Sequence, residues 1–313
     1  MSTVAGAMAL PERARGLRVL WRFSRPHTVI GTTLSVVALW LITLTNTEGS
    51  LTAARLGDLA LTLLAAYAVN VFIVGINQIE DVDIDRVNKP FLPIAAGDLS
   101  LRVAWWIVGV SAALPVLMAL TQGVIEVVSV MTALLVGAAY SVPPIRLKRH
   151  AGLAMFAISG VRSIVVNLGV SLHFALTYGA DPVIAPSVIA LTLFVIPFSV
   201  AIAILKDVPD LEGDRRFQIA TYTVRLGPER VMRLGLAALT TAYLGMAILG
   251  AWLLPDVQPA LFVAAHLAAL ALLWRWASRV DCRNPHECTT FYMRIWKLFF
   301  LEYVLVPVAV LAA

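Results

Sequence analysis

Long apolar runs separated by short polar segments make up most of this 313-residue sequence. About 20 mostly apolar residues are needed for a helix to cross the hydrocarbon core of a bilayer. Only 14% of the residues are charged, against about 25% in a soluble domain, and the mean hydropathy is +0.85. We therefore predict an all-α integral membrane protein. Nine runs are candidate transmembrane helices, at residues 28–45, 58–79, 102–121, 124–142, 152–177, 184–206, 232–253, 258–278 and 293–312.

These runs predict one transmembrane domain over residues 28–313, preceded by a cytosolic or interfacial lead at residues 1–27. Within the lead, residues 17–23 include Trp21 and Phe23, which are typical of the lipid boundary. The lead contains arginines but no apolar core of a signal peptide, so we expect no cleavable signal.

The basic residues predict the orientation of the chain. All but two of the 24 Lys and Arg residues belong to the lead or to the membrane side that follows runs 2, 4, 6 and 8. The exceptions are Arg55, in an opposite loop, and Arg162, inside run 5. The positive-inside rule then places the N-terminus and this basic side in the cytosol, as in a multi-pass protein of a bacterial inner membrane. Because the basic residues lie between spans, the net charge of +5 does not indicate nucleic-acid binding.

Two acidic segments follow runs 2 and 6: the first spans residues 77–85 and the second residues 206–214. Residues three and four apart share one face of a helix. Each segment therefore predicts a polar row, with Gln78 beside the first: Asn77, Asp81 and Asp85, then Asp207, Asp210 and Asp214. Carboxylates at the end of an apolar helix are costly unless a cation neutralises them. We predict that the rows face each other and bind Mg²⁺, which prefers carboxylate oxygens shared with substrate phosphates.

An ordinary solvated surface is the alternative interpretation of these acids, with ion pairs to nearby basic residues. The candidate partners are Arg86, Lys89, Arg215 and Arg216. The two cysteines, Cys282 and Cys288, have no second pair with zinc-site spacing and are predicted to be free thiols.

A basic cluster follows run 4, between the two acidic segments. Run 4 ends near Tyr140 and a double proline, and Arg146 and Lys148 follow. One interpretation is a positive-inside anchor with an interfacial tyrosine. The other is that Lys148 and Arg146 bind a diphosphate while Tyr140 reaches the reacting centre.

Run 5 contains a buried ionisable residue, Arg162, together with Asn167. Such a residue inside a membrane span usually faces a polar cavity or a charged partner. Either Glu302 in run 9 pairs with Arg162, or Arg162 contacts a substrate or the diphosphate. We interpret Glu302 and His173 themselves as structural.

The motifs together resemble the UbiA superfamily of intramembrane aromatic prenyltransferases. Members are nine-helix bundles with a central cavity, an N-D-x-x-D-x-x-x-D motif after helix 2 and a D-x-x-x-D motif after helix 6. Gln78 stands where the first aspartate is usual, a variant similar to the homogentisate phytyltransferase branch. Residues 23–28, 88–93 and 223–227 match the same branch.

The resemblance implies Mg²⁺-dependent transfer of a phytyl or geranylgeranyl group from its diphosphate to homogentisate, with loss of CO₂, in tocopherol or prenylquinone synthesis. The implied metal ligands are Asn77, Asp81, Asp85, Asp207, Asp210 and Asp214. The implied catalytic residues are Asp81, Asp85, Asp210, Asp214 and Tyr140. The implied substrate-binding residues are Asn77, Gln78, Lys148, Arg146, Arg22, Arg25, Arg162 and Lys206.

Three alternatives stay open. The acceptor could be 4-hydroxybenzoate, a naphthoate or a chlorophyllide. A CDP-alcohol phosphotransferase would need a D-G-x-x-A-R motif, which the sequence lacks. A secondary transporter would place its charges within interrupted spans near the midplane, whereas these acids lie at the ends of spans.

Overall fold

The computed structural model describes residues 12–47 and 49–313, and every regular element in those residues is a helix. The helices are α1 Glu12–Phe23, α2 Pro26–Asn46, α3 Ala53–Glu80, α4 Val82–Asn88, α5 Leu101–Ala119, α6 Val124–Ser141, α7 Ala151–Gly160, α8 Val170–Thr177, α9 Pro186–Leu205, α10 Leu211–Arg216, α11 Tyr222–Leu226, α12 Pro228–Trp252, α13 Pro259–Ala277 and α14 Pro285–Leu311. A π-helical segment, Val161–Gly169, joins α7 to α8 as one long helix, and a 3₁₀ turn covers Leu147–Arg149.

Eight of the described helices are long and apolar enough to cross a membrane: α2, α3, α5, α6, the α7–α8 helix, α9, α12 and α13. The ninth predicted span, residues 293–312, lies largely within α14, which also carries Arg294, Lys297 and Glu302. The predicted all-α membrane architecture is thus confirmed.

Local sequence explains where many of these helices begin. Proline occupies a first-turn position in five of them, where its missing N–H leaves no hydrogen bond unmade. These prolines are Pro26, Pro186, Pro228, Pro259 and Pro285. Other helices begin at a side-chain cap, as where the hydroxyl of Thr52 accepts from the amide of Arg55 and that of Ser100 accepts from the amide of Val103.

The long helices pack in chain order around a ring, which closes where α14 packs against α2. Two apolar cores hold the ring together. The larger core joins α2, α8, α9, α12, α13 and α14, and the smaller one joins Phe23 of α1 to α3, α5 and α6. The most buried span is α9, whereas α5 and α13 expose large apolar side chains outward, as a lipid-facing surface requires.

The ring encloses a cavity of about 1490 Å³, lined mainly by α2, α3, α6, the α7–α8 helix and α14. This confirms the predicted central cavity. The short helices α4 and α10 lie at one end of the cavity, which we call the mouth. They approach each other closely because residue 213 is glycine: a Cβ there would overlap the side chain of Asn88.

Candidate active site

The first acidic segment lies at the break between α3 and α4. Asp81 follows the last residue of α3 with non-helical backbone angles, φ −113° and ψ 17°. Its amide still donates to the carbonyl of Asn77 (3.1 Å), and the amide of Asp85 donates to the carbonyl of Asp81 (2.7 Å). The predicted row therefore survives the break, and all three of these side chains line the cavity.

The second acidic segment lies in the turn between α9 and α10. Pro209, which lacks an amide hydrogen, interrupts the helical hydrogen bonding after α9. The amide of Asp214 then donates to the carbonyl of Asp210 (3.0 Å) as α10 begins. Asp207, Asp210 and Asp214 line the same cavity as the first segment. The two segments thus meet at one mouth, as the sequence predicted.

A cation links the two segments directly. Lys89, just after α4, donates a hydrogen bond to a carboxylate oxygen of Asp210 and forms an ion pair with it. Lys89 was one of the partners expected for an ordinary solvated surface, and Arg86 similarly pairs with Asp83 (2.8 Å). The Arg86–Asp83 pair is exposed, whereas the Lys89–Asp210 pair is largely shielded from solvent within the mouth.

Asp81 pairs with two cations at the mouth. Lys148 Nζ lies 2.7 Å from Asp81 Oδ2, and Arg146 Nη2 lies 3.1 Å from Asp81 Oδ1. Asn77 Nδ2 also donates to Asp81 Oδ2 (3.0 Å). The basic cluster after α6 is therefore turned toward the acidic residues, and Arg146 adopts a left-handed backbone (φ 39°) where that turn is made.

Burial raises the pKa of several of these carboxylates and so disfavours their ionised forms. It raises the pKa of Asp85 to about 6, partly opposed by Lys89. It raises the pKa of Asp207 to about 6, partly opposed by Lys206. The pKa of Asp214 rises to about 7 through burial and then through the nearby charges of Asp207 and Asp210. Additional positive charge at the mouth would favour the ionised forms.

The remaining predicted residues of the mouth also line the cavity. Lys206 Nζ donates to the hydroxyl of Tyr140 (2.9 Å). Burial lowers the pKa of Lys148, and Asp81 opposes this effect. Arg22 pairs with Asp98 (2.7 Å), and Arg25 adopts a left-handed backbone (φ 54°) between α1 and α2.

Gln78 is the one predicted site residue that does not line the cavity. Its side chain is buried and turned toward α1, where Nε2 donates to the carbonyl of Phe23 (2.8 Å) and more weakly to that of Val74 (3.3 Å). An aspartate could not donate these bonds. The prediction that Gln78 binds substrate therefore has no support in the geometry, and the residue instead ties α3 to the turn before α2.

The proposed pairing of Arg162 with Glu302 is wrong. Glu302 pairs with His266, at 3.0 Å between Oε1 and Nε2, inside the core between α13 and α14. Arg162 faces the cavity, with its guanidinium carbon 4.9 Å from the ring centre of Trp296 and 5.4 Å from that of Phe299. Nothing in the sequence spacing singled out His266, because the pair is formed across two helices.

The donors at the mouth suit a hard divalent cation. Across residues 12–47 and 49–313, no three His, Cys, Asp or Glu side chains are grouped closely enough to hold a metal ion by themselves. However, Asp214 Oδ2 is buried without a hydrogen-bond partner. Mg²⁺ commonly uses one or two carboxylates together with substrate phosphates and water rather than a cage of protein ligands. The carboxylates of the two segments fit that mode.

The model of the UbiA prenyltransferase family matches residues 34–298 of the chain. The chain belongs to the UbiA prenyltransferase family. The matched region includes both acidic segments and the basic cluster, so the predicted membrane-embedded prenyltransferase is confirmed. Neither a phosphotransferase of CDP-alcohols nor a transporter accounts for this match.

Relatives within the UbiA family cover almost the whole chain. Homogentisate phytyltransferase from Synechocystis sp. is 48% identical, over 94% of this chain and 96% of that protein. Homogentisate geranylgeranyltransferase from Triticum aestivum is 37% identical, over 95% of this chain and 73% of that protein. The structure of a UbiA homolog from Archaeoglobus fulgidus bound to GPP and Mg²⁺ shares the fold, with a TM-score of 0.65, 20% identity, and coverage of 93% and 99% of the two chains.

Proposed function

We propose that this protein transfers a phytyl or geranylgeranyl group from its diphosphate to homogentisate, with Mg²⁺ as cofactor. The observation that carries the proposal is the meeting of two acidic segments and several cations at the mouth of one large apolar-walled cavity. The 48% identity to a homogentisate phytyltransferase along nearly its full length supports this acceptor. The homogentisate geranylgeranyltransferase relative supports the same acceptor, and both relatives' names indicate a C₂₀ donor.

The mouth supplies the charges that a prenyl diphosphate needs. Lys148, Arg146 and Lys89 are held by carboxylates and could pass to the phosphate oxygens when the donor binds. Cations at that position stabilise the negative charge that develops on the leaving diphosphate. Mg²⁺, when bound, would neutralise the diphosphate and be held by oxygens of Asn77, Asp81, Asp85, Asp207, Asp210 and Asp214.

The reaction balances without any external oxidant or proton donor. The C–O bond of the donor breaks with both electrons on the diphosphate, and a new C–C bond forms from a homogentisate ring carbon to the allylic carbon. The ring carbon loses a proton, the carboxylate leaves as CO₂, and the benzylic carbon gains a proton to become a methyl group. The cavity walls keep water from the allylic cation. Tyr140, held by Lys206, lies at the mouth where it can contact the reacting atoms.

We extend the proposal to placement and domain organisation. The mouth faces the cytosol, because it lies at the end of the bundle where the basic residues concentrate. The whole of residues 28–313 forms one prenyltransferase domain, with the lead at its interface with the membrane. Apolar side chains of α1, such as Leu17 and Trp21, are exposed and would lie against lipid.

The test is product identification. Purified protein in lipid vesicles with Mg²⁺ is given phytyl or geranylgeranyl diphosphate together with homogentisate, 4-hydroxybenzoate or a dihydroxynaphthoate, and the lipid products are analysed by mass spectrometry. We expect a prenylated methylquinol from homogentisate alone. A product formed from 4-hydroxybenzoate or the naphthoate but not from homogentisate would overturn the acceptor. An absence of any product, with diphosphate left intact, would overturn the proposed reaction.

A further inference from the structure

Beneath the mouth, the cavity wall carries buried N–H donors that have no acceptor. Arg162 Nη1, Trp296 Nε1 and Asn167 Nδ2 each lack a hydrogen-bond partner among the described residues. Arg162 and Trp296 line the cavity, and the guanidinium of Arg162 lies over the Trp296 ring. Asn167 lies behind them, with its Oδ1 accepting from the hydroxyl of Tyr303 (2.7 Å).

The helix geometry places two of these donors, Arg162 and Asn167, close to one face. Arg162 and Asn167 belong to the π-helical segment Val161–Gly169, whose i→i+5 hydrogen bonding brings residues five apart close to one face. Such segments are frequent at functional sites. In a membrane span, an arginine that lacks a carboxylate partner is costly. Here the expected partner, Glu302, is already paired with His266.

The cluster of Arg162, Trp296 and Asn167 offers hydrogen-bond donors and a fixed positive charge. It is therefore suited to an anionic ligand that only accepts hydrogen bonds. A carboxylate has this chemistry. The flat rings of Trp296 and Phe299 beside Arg162 add an aromatic wall, which suits a ligand that is both aromatic and anionic. The donor's diphosphate is the other anion, but its cations are gathered at the mouth, on Asp81 and Asp210.

We infer that Arg162 and Trp296 bind the carboxylate of the acceptor and hold its ring between them and the mouth. The inference rests on the proposed function and adds to it a binding site for the acid group of homogentisate. It makes Arg162 an acceptor-binding residue rather than a diphosphate contact. It also supplies a positive charge that holds an anionic acceptor in a cavity whose mouth is rich in carboxylates.

The decisive experiment removes the charge from either side of the proposed contact. Arg162→Gln and the wild type are compared with two acceptors, homogentisate and methylhydroquinone, which has a methyl group in place of the carboxymethyl group. With prenyl diphosphate saturating, we expect the variant to raise KM for homogentisate by about 10- to 100-fold, the range for a lost hydrogen bond to a charged group. KM for methylhydroquinone and for the prenyl diphosphate should change by less than about twofold.

A matched control is available at Arg55. Its guanidinium also stacks on an aromatic ring, 4.6 Å from the centre of Tyr178, but the residue does not line the cavity. Arg55→Gln should leave the ratio of the two acceptors' kcat/KM values unchanged. If Arg55→Gln shifts this ratio as much as Arg162→Gln does, the effect is not specific to the cavity and the inference is overturned.

Two further variants keep the test decisive if Arg162→Gln does not fold. Arg162→Lys retains the charge without the fork of donors, and Trp296→Phe retains a ring without the N–H. Each should raise KM for homogentisate by about 3- to 10-fold and spare methylhydroquinone. Equal losses with both acceptors, or a raised KM for the prenyl diphosphate alone, would overturn the inference while leaving the proposed function in place. A wild type that prenylates methylhydroquinone or another phenol but never homogentisate would instead overturn the proposed acceptor, and the inference with it.

Discussion

The two acidic segments contain similar residues but differ in what surrounds them. In the first segment, Asp81 is already paired with two cations and an amide. In the second, Lys89 pairs with Asp210 and Lys206 with Asp207 (3.7 Å), but Asp214 keeps a buried oxygen without a partner and has the highest pKa of the three shifted carboxylates, about 7. We interpret the second segment, through Asp214, as the stronger site for a metal ion, and Asp81 of the first segment as the residue that holds Lys148 and Arg146 until the substrate binds.

The largest expected effect on turnover comes from removing the carboxylate of Asp81 or that of Asp214. Asp81→Asn and Asp214→Asn should each lower turnover by about 10²- to 10³-fold, because each removes charge that organises the reacting diphosphate. Steady-state kinetics on vesicle-reconstituted protein measures this. The two variants should differ in Mg²⁺ affinity without donor, measured by calorimetry, with Asp214→Asn the weaker binder by about 10-fold or more. If Asp81→Asn weakens Mg²⁺ binding more than Asp214→Asn does, our ranking of the segments is wrong.

Removal of a cation that is paired with Asp81 should impair catalysis less than removal of a carboxylate. Its effect on Mg²⁺ affinity should have the opposite sign. Lys148→Met should raise KM for the prenyl diphosphate by about 10- to 100-fold, because a charged hydrogen bond is lost. It should not weaken Mg²⁺ binding in the absence of donor, since it frees Asp81. The control is Arg86→Gln, which removes the exposed ion pair with Asp83 at a residue that does not itself line the cavity, and it should stay within about twofold of the wild type. A parallel loss of metal affinity in Lys148→Met would argue against this role of Asp81.

The raised carboxylate pKa values predict how pH affects the metal-free protein. For Asp207 and Asp214, the folded pKa of about 6 to 7 exceeds the usual value of 3.8, so the folded protein holds more protons than the unfolded chain between pH 4 and 7. Stability without metal should therefore fall as pH rises through this window, by up to about 3 kcal/mol for Asp207 and about 4 kcal/mol for Asp214. Thermal unfolding should show a larger Mg²⁺-induced rise in Tm at pH 8 than at pH 5.5.

The control for this pH dependence is Asp214→Asn. In this variant, the Mg²⁺-induced rise in Tm should differ less between pH 8 and pH 5.5 than in the wild type. A rise in Tm of equal size at pH 5.5 and pH 8 in the wild type would contradict the assignment of the buried carboxylates as metal ligands.

The smallest effect on turnover is expected from substitution of Gln78. Gln78→Asp restores the residue usual in the family but cannot donate to the carbonyl of Phe23, so we expect a loss of about 1 to 3 kcal/mol of stability. The variant should not bind Mg²⁺ more tightly than the wild type. Gln78→Glu, which keeps the length of the side chain, should behave in the same way. Tighter Mg²⁺ binding by Gln78→Asp would show that position 78 belongs to the metal site after all.

Sequence predicted the spans because long apolar runs leave few alternatives in a bilayer. It also predicted the meeting of Asp81 and Asp210, because helical spacing and positive-inside charge place both acidic segments at one end of the bundle. It could not predict the side-chain direction of Gln78, which depends on α1 packing against α3. Nor could it predict that Glu302 pairs with His266 rather than with Arg162, because the pairing depends on how three helices are rotated relative to one another.

The sequence analysis did not predict the π-helical segment Val161–Gly169 either. The signal that could have pointed to it was the pair Arg162 and Asn167, polar residues five apart in an otherwise apolar run. In an α-helix, residues three or four apart share a face, whereas residues five apart do not.

The pairing of Lys89, Lys148 and Arg146 with aspartates has a consequence for how ligands bind. A diphosphate that binds these two lysines and this arginine removes the counterions of the aspartates. A metal ion that binds the aspartates releases the same three cations. Each ligand therefore prepares the site for the other, and thermodynamic reciprocity requires their affinities to rise together. In a cell, such heterotropic cooperativity would make the free protein bind magnesium more weakly than the protein that already holds a prenyl donor.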